Sequence, residues 1–461
     1  MKVAVILLVA TCVVFSMTRA SPLVGKPNAK PLITQGGEDP DPIIRQRRDF
    51  VKQMMKDAWE DYVRFAWGQN ELKPISQTGQ NGGIFGNAEI AATAIDSLDT
   101  LYIMEMMDDY QRAKGLVTNI TFTGIDAAVS IFETNIRIVG GFLTAYALTQ
   151  DRVSEAVLAE FGTLHLEFMY LSDVSGDVRF REKALKIREV MKNIEKPKGL
   201  YWNFVDVNTG RFTRNHVSIG ALADSYYEYL LKAAIQLDDA EARQMYDDAM
   251  DGFVNNSLVK ISKPSNLLYI AESRDDRVED VVGHLACFAG GMFALGAHVD
   301  PTNKNAVRDA EIGRNFTNTC HESYIRTATK IGPEVFRFND EVEAEGQFDS
   351  DKAYILRPEV MESYLVLYRL TNDTKYRDWG WDAAQAIERY TKAGPGRGYS
   401  GIRNVDSTNP AKDDVQQTFF LAETLKYLYL LFSTNDLISL DQWVFNTECH
   451  PLPIKGANPN Y

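Results

Sequence analysis

Apolar positions along this chain fall into two kinds of helical run, and the two kinds alternate. One kind is apolar on nearly all sides yet carries an isolated acid. It occurs at 93–104 with Asp96 and Asp99, at 127–143 with Glu133, and at 157–171 with Glu167. It recurs at 219–231 with Asp224, at 358–370 with Glu359 and Glu362, and at 418–432 with Glu423. A similar run at 282–295 carries His284 instead. The other kind is amphipathic, at 43–65, 177–194, 239–254, 303–328 and 375–390, with a shorter one at 107–116. A helix that is apolar all round belongs inside, and an amphipathic one covers it. The pattern predicts an all-α toroid over 43–450, with seven inner helices shielded by an outer layer. Strand signals are brief, at 199–205 and 267–272, and read as hairpins; 70–86 reads as a Gly/Asn-rich loop. The alternation fails once: 127–143 and 157–171 are joined by a short connection around 149–154, with no polar partner.

The isolated acids are where chemistry enters. In Leu356-Arg357-Pro358-Glu359-Val360-Met361-Glu362, Pro358 suits a first helical turn, and Glu359 and Glu362 share one face. Two carboxylates heading a buried helix need a cation, a hydrogen-bond network or a catalytic task. A single such acid would pass as a helix cap in the field of the N-terminus; the recurrence along the chain argues for more. Glu133 and Arg137 stand four apart in an apolar run, Asp224 leads three tyrosines, and Phe419 precedes Glu423. His284 fits either a core position or a ligand. Near the end, 446–453 (Asn-Thr-Glu-Cys-His-Pro-Leu-Pro) is a polar, Pro-rich segment suited to plugging a toroid from one end. There Thr447 offers two hard oxygen donors, so that surrounding carboxylates could complete a Ca²⁺ site partly through water.

Composition narrows the partners and the compartment. A net charge of -14 and 461 residues at 45% hydrophobic describe a large-cored acidic protein with no affinity for nucleic acid. Residues 1–20 read as a signal peptide or short signal anchor, so that membrane anchoring by this segment is an open alternative; 21–42 read as a stem. Sequons at Asn119, Asn255, Asn315 and Asn372 agree with a secretory route. Beyond Cys12, the cysteines are Cys287, Cys320 and Cys449, two of which can pair in an oxidising lumen. Their spacing does not resemble a zinc site.

Glu133 with Arg137, Asp-Ser-Tyr-Tyr-Glu-Tyr-Leu from Asp224, Leu-Arg-Pro-Glu from Leu356, the Phe419–Glu423 motif and Asn-Thr-Glu at 446–448 occur in order. Over 43–453 the chain thereby resembles the class I α-1,2-mannosidases, glycoside hydrolase family 47, leaving 454–461 as a tail. The resemblance implies an (α/α)7 barrel and calcium-dependent, inverting removal of α-1,2-linked mannose from high-mannose N-glycans. It further implies Glu359 as general base, Glu133 or Asp224 as general acid, and Thr447 as the direct calcium ligand. His284, Arg357, Glu362, Phe419, Glu423 and Glu448 match positions around the cleaved mannose; Glu167, Asp224 and Arg137 match the leaving-sugar side. Cys287 and Cys320 match the family's disulfide. Leu222 resembles the Golgi branch, which implies the Golgi lumen, with secretion as the alternative. At 149–154 the family carries an outer helix and a loop, so the chain is short there by ~40–50 residues on the scale of such repeats. A mannose-binding lectin on the same scaffold is the competing function; intact Glu133, Asp224 and Glu359 favour the enzyme.

Overall fold

The computed structural model describes residues 37–82, 85, 88–118, 120, 131–140, 143, 162–206 and 211–461. The signal segment, most of the stem, the sequon at Asn119 and the 149–154 connection lie outside the described residues.

Seven inner segments close a ring. They are the pair Ala92–Asp96 and Leu98–Ile103, then 131–139, His165–Ser175, Asp224–Leu237, Ala289–Val299, Glu359–Thr371, and 420–431, which returns to the first. Each touches the next, as apolar helices must when both flanks need burial. Around them pack Pro42–Phe65, Met107–Val117, Val178–Asn193, Ala240–Asn255, Ala306–Ile325 and Lys375–Thr391. Each of these turns a buried stripe inward, such as Val51, Met54, Met55, Ala58, Trp59 and Tyr62 on the first. The predicted layering is the observed one.

Boundaries differ where side chains compete with the helix. The run at 93–104 breaks at Ser97, and the run at 219–231 starts as a helix only at Asp224, because Leu222 holds φ +78°. The 282–295 run opens instead with strand Val281–Gly283, pairing with Val335–Phe338, and a 3₁₀ turn His284–Phe288. β-Branched valines suit the strand, and the pairing sets His284 at its inner end. A short hairpin, Glu71–Lys73 with Thr78–Gln80, occupies the expected 70–86 loop. Strands make only two- and three-stranded sheets on the connections.

The last hairpin, Trp443–Phe445 with Pro451–Pro453, carries its connecting loop into the buried interior. The 454–461 tail is docked: Lys455 N–H donates to the Gln236 carbonyl, and the Tyr461 ring lies 5.3 Å from that of Tyr170. Among the described residues no helix is long and apolar enough to cross a membrane.

Cys287 and Cys320 form a disulfide, with Cα atoms 6.0 Å apart, tying the 3₁₀ turn to the outer helix Ala306–Ile325; Cys449 is free and buried. The bond closes a loop of 33 residues. Replacing both cysteines by alanine is expected to lower unfolding free energy by about 2–4 kcal/mol, read as a shift of the urea midpoint. An unchanged midpoint would show the bridge to be idle.

Candidate active site

The N-terminal ends of the inner helices and the tip of the last hairpin meet in one charged centre. Glu359 opens its helix after Pro358, and its Oε2 lies 2.7 Å from His284 Nδ1, whose Nε2 lies 2.7 Å from the Tyr324 hydroxyl. Arg357 Nη1 is 3.8 Å from the other Glu359 oxygen, while its Nε donates to Glu334 at 2.8 Å. Leu356, fully buried at φ +71°, makes the sharp bend that delivers Arg357 and Glu359 together. Burial alone would raise the Glu359 carboxyl; the hydrogen bond and charge of His284, with Arg357, outweigh it and hold the group below its ordinary range.

Its neighbours go the other way. Burial, with Glu228 and Glu359 close by, pushes Asp224 up to about 7. Glu362 rises to about 8 through burial and the charges of Glu228 and Glu359, although Lys232 stands 3.5 Å away. Glu423 rises well above the usual range from burial and the charges of Glu359 and Glu362, and it has no hydrogen bond or ion pair among the described residues. Burial also lifts Glu167, despite bonds from the Tyr229 hydroxyl at 2.6 Å and the Asn446 amide at 2.9 Å.

Arg137 is the cationic hub on the far side. It pairs with Glu133 at 2.7 Å, with Glu448 and with Asp96 at 3.3 Å, donates to Thr418 Oγ1 at 3.0 Å, and lies 5.7 Å from the Phe419 ring centre. Arg137 and Glu423 both sit in π-helical turns, Thr134–Val139 and Phe420–Thr424. A π-turn shifts the register of a helix face, and such turns favour functional sites; no periodicity in the sequence announces them.

The centre therefore unites Glu133, Arg137, Asp224, His284, Arg357, Glu359, Glu362, Phe419, Glu423 and Glu448 through direct contacts or mutual charge effects. Glu167 and Thr447 join through the hydroxyl of Tyr229, which Thr447 N–H approaches at 3.4 Å. Sequence reasoning passes over Lys232, buried between Glu228 and Glu362, and Lys426, buried against Asp99 at 2.7 Å. It also passes over Asn446 and His450 as site residues. A lone lysine in an apolar helix is the available signal, equal in kind to the lone acids.

Among the described residues no cluster of three or more His, Cys, Asp or Glu could hold a metal by itself. What the centre offers is hard oxygen. The Thr447 hydroxyl has no partner among the described residues, and mutually repelling carboxylates crowd nearby. That donor set fits a large, well-hydrated cation such as Ca²⁺.

The glycosyl hydrolase family 47 model matches residues 54–155 and 150–454, two stretches that overlap at 150–155. The chain is 48% identical over 478 residues to mannosyl-oligosaccharide alpha-1,2-mannosidase IA of Drosophila melanogaster, covering 92% of this chain and 71% of that one. It is 44% identical over 464 residues to human mannosyl-oligosaccharide 1,2-alpha-mannosidase IB, covering 91% and 72%. The solved alpha-1,2-mannosidase of Trichoderma reesei superposes with a TM-score of 0.80 at 27% identity, covering 92% of this chain and all of that one.

The Lys426–Asp99 pair is fully buried. Lys426→Met, which leaves Asp99 with His450 as its remaining charged partner, is expected to cost up to about 3–5 kcal/mol of stability, read by chemical unfolding. A loss below about 1 kcal/mol would mean that His450 alone satisfies the Asp99 charge.

Proposed function

Since the chain belongs to glycosyl hydrolase family 47, an (α/α)7-barrel family of glycosidases, we propose that it removes terminal α-1,2-linked mannose from high-mannose N-glycans, with inversion and with Ca²⁺ as cofactor. The observation that carries the reading is a pair of acids driven apart in one buried centre: Glu359 held ionised, Asp224 held protonated up to about pH 7. Inverting hydrolysis needs that division, one carboxylate to activate water and one acid to protonate the leaving oxygen.

Glu359, its charge favoured by His284 and Arg357, takes the proton of the attacking water. Asp224 suits the acid role by its proton; Glu133, tied to Arg137, is the alternative, acting through water. Arg357, Glu362, Glu423, Glu448 and His284 surround the cleaved mannose over the apolar floor of Phe419. Glu167, Asp224 and Arg137 meet the leaving sugar. Thr447 would hold the calcium through its hydroxyl and carbonyl. The ion, when bound, supplies oxygen-seeking charge that grips sugar hydroxyls.

Residues 43–453 form the catalytic unit, with 1–20 for targeting, 21–42 as stem and 454–461 as tail. The working compartment is the secretory pathway, with the Golgi lumen favoured by Leu222. The sequons and the Cys287–Cys320 disulfide support an oxidising lumen.

Incubation with a high-mannose oligosaccharide, read by mass, is expected to show stepwise loss of hexose. Glu359→Gln should lower turnover by about 10²–10⁴ while glycan affinity stays nearly intact. Wild-type turnover in that variant would move the base elsewhere, and glycan binding without release by the native chain would make it a lectin.

Excess chelator is expected to stop turnover, and calcium rather than magnesium to restore it, because Mg²⁺ demands a tighter octahedron. Full turnover in chelator would remove the cofactor from the mechanism.

A further inference from the structure

His450 lies beneath the centre, outside every role assigned above, and is completely buried. Its Nε2 stands 3.2 Å from Asp96 Oδ1 and its Nδ1 stands 3.1 Å from Asp99 Oδ2. A carboxylate on each ring nitrogen can be satisfied only if both nitrogens carry protons. Beyond Asp99 the line continues to Lys426, whose ammonium also donates to the Cys449 carbonyl at 2.8 Å. Beyond Asp96 it continues to Arg137, and so to Glu133 and Glu448. The backbone N–H of His450 donates to Asn446 Oδ1 at 2.8 Å, and the Asn446 amide donates to the Ile136 carbonyl at 2.9 Å. The side chain thus ties the hairpin tip to the first inner helix pair, and through Asp96 and Asp99 to Arg137 and Lys426 on the inner helices on either side.

We propose, building on the function proposed above, that His450 is a positioning residue of the catalytic centre. Its doubly protonated ring, clamped between Asp96 and Asp99, fixes Asp96, and through Asp96 the Arg137 guanidinium that holds Glu133 and Glu448. Asp96 presents one oxygen to His450 and the other to Arg137, so it cannot turn toward one without loosening the other. The charged and titratable groups around the ring are Asp96 and Asp99 on one inner helix pair, Arg137 on the next, Lys426 on the last, and Cys449 and Glu448 on the hairpin. Burial works against the imidazolium, and the two carboxylates outweigh it, raising its proton affinity above the ordinary value.

Gly140 gives the device an independent handle. A Cβ there would stand 2.4 Å from Asn446 Nδ2 and 3.0 Å from His450 Cδ2, so a side chain would displace the ring and its amide together. Gly140 itself takes no part in the chemistry.

The test compares native chain, His450→Gln and Gly140→Ala by pH profiles of kcat/KM for mannose release, with the folded fraction measured on the same samples. Taking a positive charge from beside Asp96 and Arg137 makes the nearby carboxylates bind protons more tightly, so the acid-side limb should move to higher pH. His450→Gln is expected to lower kcat/KM by about 10–100-fold, the scale of a misplaced catalytic group, with the limb displaced upward. Gly140→Ala should show a smaller displacement of the same sign. Unmoved limbs in both variants, whether activity holds or falls only with the folded fraction, would overturn the proposal. Should His450→Gln fail to fold, histidine-selective ¹⁵N spectra of the native chain decide, an imidazolium at His450 in support and a neutral ring in refutation, because Gly140→Ala also moves the Asn446 amide that holds Glu167. If the native chain releases no mannose, the function proposed above fails by itself. The clamp is then read from histidine-selective ¹⁵N spectra at neutral pH, which six histidines keep tractable. An imidazolium at His450 supports it, and a neutral ring overturns it.

Discussion

An ionised group taken out of water must find a partner or lose its charge, and the interior of this barrel is organised by that constraint. Asp96, Asp99, Arg137, Glu167, Glu228, Lys232, Glu359, Glu362, Glu423, Lys426, Glu448 and His450 are all buried. The partnerships are uneven. On one side Arg137, Lys426 and His450 face Asp96, Asp99, Glu133 and Glu448, and Asp96 is drawn down to about 2 although burial opposes it. On the other side Glu228, Glu359, Glu362 and Glu423 share as ion-pair partners, among the described residues, Lys232, Arg357 and His284, and Glu362 and Glu423 are pushed up. On the first side Asp96 and Asp99 are held by cations, while Glu448, facing Asp96, Glu423 and Glu133, is pushed up like the acids opposite. The under-paired side is where a cation and a substrate would complete the charge balance.

The toroid makes this possible without costing the core. The inner helices His165–Ser175, Asp224–Leu237 and Glu359–Thr371 carry acids in the first turn, where the helix field favours them. The outer helices then need only one apolar stripe each, and their charged faces pair locally, as in Arg243 with Asp247. Left-handed backbone at non-glycine residues occurs in many turns of the chain, and some of it lies on the approaches to the site. Leu222, Leu356 and Cys449 all adopt positive φ within three residues of a proposed site residue.

Much of this was legible in one dimension. The alternation of all-apolar and amphipathic runs determined the two layers, because burial on all sides and burial on one side leave different periodicities. The lone acids at 96, 133, 167, 224, 359 and 423 determined that the interior would be charged, and the ordered motifs determined the family. Local rules erred where local signals conflict. The Val281–Gly283 strand lies inside a run that reads as helix, since a short apolar stretch satisfies both periods.

What only the tertiary structure decided is which charge meets which. Arg137 reaches Glu448 across 311 residues and His450 reaches Asp96 across 354, and no spacing rule connects positions so far apart. The same holds for proton affinity. Glu359 and Glu362 are three residues apart on one helix, yet one is held down by His284 and the other pushed up to about 8. Their sequence context is nearly the same; the cation beside each is supplied by a different part of the ring, and only closure of the ring brings it there.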